Sequence, residues 1–129
     1  MALHPTVYAA LLGEKIKRDG VHCWLVNTGW SGGPYGVGKR IHLPYTRAMV
    51  KAALNGSLLQ TETRHDPVFK LDIPMHCEGV PDEILNPRNT WKDADAYDRM
   101  ARELAGRFVE NFRKFGDQAD EMIRACVPV

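Results

Sequence analysis

With 129 residues, 44% of them hydrophobic, the chain holds one domain or part of one and can bury a modest core. Seventeen basic residues against 16 acidic leave a net charge of +1, so no global field draws nucleic acid or an anionic membrane. The odd number and wide separation of Cys23, Cys77 and Cys126 read as reduced thiols of an intracellular, cytoplasmic protein without metal-type pair spacing, and no apolar run is long enough to span a membrane.

The first element starts at Leu3-His4-Pro5. Pro5 suits a first helical turn, Val7, Tyr8, Leu11, Leu12 and Ile16 recur at helical spacing, and Gly20 supplies the stop. His4 beside that proline reads as a capping or packing residue rather than a ligand. Val21, Cys23, Trp24, Leu25 and Val26 then form a short apolar run, the pattern of a strand buried on both faces of an α/β sheet.

Five glycines (Gly29, Gly32, Gly33, Gly36 and Gly38) and Pro34 follow within ten residues, and Lys39 and Arg40 close the loop. Such a loop at a strand end predicts an anionic or π-faced ligand. Gly33 to Lys39 also satisfies the spacing of a triphosphate cradle. Arg40 nevertheless stands where that motif needs Ser or Thr for Mg²⁺, and Pro34 removes a backbone donor. A glycine-rich surface turn without a ligand is the bland alternative.

Pro44 to Leu54 predicts a second helix with Met49, Val50, Ala53 and Leu54 on its apolar side and Asn55-Gly56 as its stop. Thr46 sits in its first turn, where a hydroxyl can cap the helix or face a ligand held by the loop. From Gln60 to Pro81, Val68, Leu71 and Ile73 fit a short or edge strand between Pro67 and Pro74. Adjacent His76 and Cys77 do not make a metal site. Val80 to Trp91 reads as a proline-punctuated connector whose role spacing does not reveal. Asp93 is a good N-cap for a long helix, on which Tyr97, Met100, Ala101, Leu104, Ala105, Phe108, Val109, Phe112 and Phe115 mark one core-packing stripe up to Gly116. A short helix over Asp117 to Cys126 closes the chain.

The strings LHPTVYAALLGEKI, WLVNTGW, GPYGVGKRI, YTRAM, ALNGSL and EILNPRNTW, in this order from Leu3 to about Phe115, resemble the C-terminal part of ATP-dependent phosphoenolpyruvate carboxykinase. Residues 117–129 lie outside that resemblance. It implies the C-terminal part of a mononucleotide-binding α/β domain, with a mixed sheet, packed helices and a long C-terminal helix. It further implies a single partial domain over 1–129, cut from a longer enzyme that converts oxaloacetate and ATP to phosphoenolpyruvate, ADP and CO₂ in gluconeogenesis.

By motif match, Arg40, Ile41 and Thr46 are implied as the adenosine contacts of the ATP site. The family's phosphate loop, its ligands for Mg²⁺ and Mn²⁺ and its oxaloacetate-binding arginine precede this region, so the fragment alone is expected to be inactive. The implied partners are a small-molecule nucleotide and the rest of the parent enzyme, with self-association through exposed apolar surface. Two other function classes fit the residues alone: a stand-alone nucleotide-binding module, and a non-enzymatic interaction domain using the apolar stripe.

Overall fold

The computed structural model describes residues 3–114 and 124–128. Helix α1 spans Pro5–Asp19 and is closed by Gly20 in the left-handed conformation, whose N–H bonds the Ile16 carbonyl. The His4 ring accepts from the Thr6 N–H at its start, so the capping role expected of His4 is observed. No residue of α1 is buried.

The expected strand over Val21 to Val26 is absent. These residues take no regular secondary structure and make no ladder hydrogen bonds among the described residues, and Leu25 is 86% exposed. An apolar run has β-propensity, but a strand exists only when another strand satisfies its backbone. Trp24 is the residue that ties this segment down, by packing against the core.

The glycine-rich loop is a β-hairpin. Strands β1 (Trp30–Ser31) and β2 (Lys39–Arg40) pair antiparallel, with Trp30 opposite Arg40 and Ser31 opposite Lys39. Helix α2 (Leu43–Leu54) follows and a 3₁₀ turn over Ser57–Gln60 folds back beneath it. Tyr45, Ala48, Met49, Ala52 and Ala53 of α2 meet Leu58, Cys77 and Val80 in the main core. Val50 and Leu54, expected on that apolar side, point outward at 41% and 84% exposure. The helical period explains this correction: 100° per residue puts 45, 48, 49, 52 and 53 on one face and 46, 50 and 54 on another.

A second hairpin joins β3 (Thr63–His65) to β4 (Asp72–Pro74). Ile73 lies on a strand as expected, but Val68 and Leu71 belong to the connecting turn. The Asp66 carboxylate accepts from the Val68 and Phe69 N–H groups and holds that turn, in which Lys70 takes a positive φ of 55°. The connector up to Trp91 forms two helical turns, α3 (Asp82–Leu85) and α4 (Pro87–Thr90).

Helix α5 (Ala94–Arg113) starts where Asp93 accepts from the Asp95 and Ala96 N–H groups. Among the described residues of its predicted stripe only Ala101 and Ala105 are buried, while Leu104 is 42% and Phe108 51% exposed. The stripe is therefore core only along its alanines. Small residues admit close approach and their large neighbours flank the contact, as Phe108 does edge-on to Phe69. Phe115, Gly116 and most of the expected last helix lie outside the described residues; Arg124 and Ala125 are helical. Helices with short antiparallel sheets, ending in one long helix, agree with the expected α/β class. No described helix is long and apolar enough to cross a membrane.

Candidate nucleotide-binding site

The hairpin β1–β2 carries Arg40, one of the three residues singled out for nucleotide contact, and Ile41 follows directly after it. Its loop is closed by the Pro34 carbonyl, which accepts from both the Val37 N–H at 3.0 Å and the Gly38 N–H at 2.9 Å. These amides point back into the loop. A phosphate cradle needs successive N–H groups aimed outward at the anion and a helix after the lysine. Here Pro34 has no N–H, two donors are consumed internally, and Lys39 enters a strand. The geometry agrees with the rejection of a triphosphate cradle at Gly33 to Lys39.

Glycine is required where the strands close on each other. A Cβ on Gly38 would overlap the Gly33 carbonyl oxygen and come within 2.7 Å of the Ser31 carbonyl oxygen. The Trp30 and Tyr35 rings meet edge to face with centroids 5.2 Å apart and brace the hairpin from its side.

Arg40 ends β2 in an exposed position and makes no ion pair among the described residues. Its guanidinium leaves its planar face and its donors unengaged by any ion pair among the described residues. Ile41 follows, half-buried, with its N–H donated to the Gly29 carbonyl at 3.0 Å. His42 then begins the turn into α2, its ring 5.6 Å from that of Tyr45. Thr46, one turn into α2, donates its N–H to the His42 carbonyl, and its hydroxyl bonds nothing among the described residues. The capping role expected of that side chain is therefore not used.

Thr46 instead lies on the open outer face of α2, beside Arg47, Val50, Lys51, Leu54 and Asn55. The joint between hairpin and helix thus presents an unpaired guanidinium, a β-branched apolar side chain and a free hydroxyl within seven residues of sequence. A guanidinium plane, an apolar side chain and a hydroxyl are the types of group that suit a flat base. Among the described residues no three His, Cys, Asp or Glu side chains come together as a metal-holding group. The outward face of α2 is missed when Val50 and Leu54 are read as core residues. The helical spacing of Thr46, Val50 and Leu54 is the signal that could have found it.

A family model described as phosphoenolpyruvate carboxykinase matches residues 1–83. Among curated relatives named phosphoenolpyruvate carboxykinase (ATP), that of Caldanaerobacter subterraneus subsp. tengcongensis is 58% identical over 125 residues, 97% of this chain. That of Thermus thermophilus is 56% identical over 128 residues, 99% of the chain. That of Christiangramia forsetii is 54% identical over 129 residues, the whole chain. In each case the match covers 24% of the relative, so the chain spans about a quarter of their length. A family-model match over most of the chain, and identities above half along nearly all of it, show that this chain belongs to the ATP-dependent phosphoenolpyruvate carboxykinase family.

Proposed function

We propose that this chain is the adenosine-binding part of an enzyme that converts oxaloacetate and ATP to phosphoenolpyruvate, ADP and CO₂. Arg40 stacks its guanidinium on the adenine, Ile41 supplies an apolar wall, and the Thr46 hydroxyl makes a polar contact. The remaining three quarters of such an enzyme supply the phosphate loop, the divalent metals and the oxaloacetate site, and cover the apolar surface exposed here. The observation that carries this reading is the inward turn of the loop amides onto Pro34, which leaves the exposed, unpaired Arg40 as the group offered to a ligand.

Calorimetric titration of the 129-residue chain with ATP, ADP and AMP tests it. Stacking of a partly desolvated guanidinium is worth roughly 1 to 2 kcal/mol, so Arg40→Ala should weaken binding by about fivefold to thirtyfold. Arg40→Lys should recover little, because it keeps the charge and loses the plane. The loss should be equal for the three nucleotides. A loss growing steeply with phosphate number would make Arg40 a phosphate ligand and overturn the assignment.

A further inference from the structure

The connector from Asn86 to Trp91 had no role legible in its spacing, yet the nucleotide hairpin rests on it. Gly32, the first loop residue after β1, has φ of 81°, and a Cβ built on it would lie 2.8 Å from the Thr90 carbonyl oxygen. The hairpin backbone therefore seats directly on the last residue of α4. That seat is held on several sides. Arg64 donates from Nη2 to Asn86 Oδ1 at 2.9 Å, and Arg88 grips Asp98 of α5 through both carboxylate oxygens at 2.9 and 3.0 Å. The Thr90 hydroxyl closes the turn onto the Pro87 carbonyl, and Trp91 meets Tyr97 edge to face at 5.8 Å.

We propose that Gly32 and the Asn86–Trp91 segment position Arg40, by fixing the height of the β1–β2 hairpin against α5. Ser31, next to Gly32, pairs with Lys39, and Trp30 pairs with Arg40, so a displacement at Gly32 is transmitted through two rungs of ladder to the guanidinium. Gly32 and the connector are positioning elements and touch no ligand themselves. The inference rests on Arg40 being the adenosine contact, and Arg40→Ala alone tests that premise.

The test combines Gly32→Ala with Gly36→Ala as its control. Gly36 has a comparable φ of 88° but open space around its Cβ position, so it carries the backbone strain without the collision. Gly32→Ala should weaken AMP binding by about threefold to tenfold, a part of what Arg40→Ala removes, and Gly36→Ala should change it less than twofold. In the Arg40→Ala background the Gly32→Ala effect should vanish, because a residue acting through Arg40 is not additive with it.

Amide exchange of the ligand-free chain gives the second readout. Gly32→Ala should speed exchange of the Ile41 N–H, bonded to the Gly29 carbonyl, and leave that of Gly20 and Asn55 in the helix caps unchanged. Equal effects of the two glycine variants, full additivity with Arg40→Ala, or unchanged Ile41 exchange would each overturn the proposal. If wild-type chain binds no AMP, the adenosine reading fails and the exchange result alone decides. If Gly32→Ala unfolds the chain, Arg88→Ala, which frees the seat through an exposed ion pair, is held to the same readouts.

Discussion

Leu58 and Leu25 are the same residue type in opposite environments, and truncating each to alanine measures whether the core lies where the structure puts it. Leu58 keeps 7% of its exposure among Ala52, Cys77 and Val80, whereas Leu25 keeps 86%. Removing a buried leucine side chain costs its transfer free energy plus that of the cavity left, about 2 to 5 kcal/mol. Leu58→Ala should therefore cost about 3 kcal/mol, within that range. That is a large part of the stability of a domain with so few buried side chains, which belongs near the low end of about 5 to 15 kcal/mol. Leu25→Ala removes side-chain surface already in water and should cost less than about 0.5 kcal/mol. In urea unfolding followed by circular dichroism, a slope of about 2 kcal/mol per M turns the first value into a midpoint shift of about 1.5 M and the second into almost none. Equal shifts would mean that the Val21 to Val26 segment is covered in solution, and a silent Leu58→Ala would place the core elsewhere.

Thiol labelling of the native chain should show two fast cysteines and one slow one. Cys23 and Cys126 are exposed, whereas Cys77 is buried and its burial pushes the thiol pKa up; fast modification of Cys77 would contradict its place in the core. The Arg88 guanidinium holds the Asp98 carboxyl below its ordinary range, so folding favours the ionised form. The resulting stability is present above the ordinary carboxylate pKa and is lost as pH falls through the lowered value. The Tm gap between wild type and Asp98→Asn should accordingly narrow between pH 6 and pH 3, and a constant gap would show that the pair contributes nothing through charge. The purified chain should release no phosphoenolpyruvate from oxaloacetate and ATP above background in a coupled assay, and turnover would place the chemistry within these 129 residues.

Helix ends were legible because their signals are local. Pro5 and Gly20 bracket α1, and Asp93 caps α5, through bonds that span no more than four residues. The hairpin was legible only as a turn: five glycines announce close approach, but which backbone they approach depends on Pro34 and on Thr90, the latter 58 positions beyond Gly32. Arg40, Ile41 and Thr46 could be singled out because a family string names them. What the residues alone allowed at that joint was a choice between phosphate and base.

The errors share one cause. Val21 to Val26, Val50, Leu54 and Leu104 were assigned to buried positions because they are apolar, and each is more than a third exposed or, in that segment, without a strand partner. Apolar character shows that a residue gains by leaving water and does not say which surface receives it. Trp24 and Tyr45 find their receiving surface within the chain, on the cluster around Leu58. Leu25 and Leu54 find none among the described residues, in a chain spanning a quarter of its relatives' length. Exposed apolar residues lie on α1, on the Val21 to Val26 segment and on the outer face of α2, and on the proposed function the rest of the enzyme covers them. The hairpin does not depend on those partners, since its closure on Pro34 and its seat on Thr90 both lie within the chain.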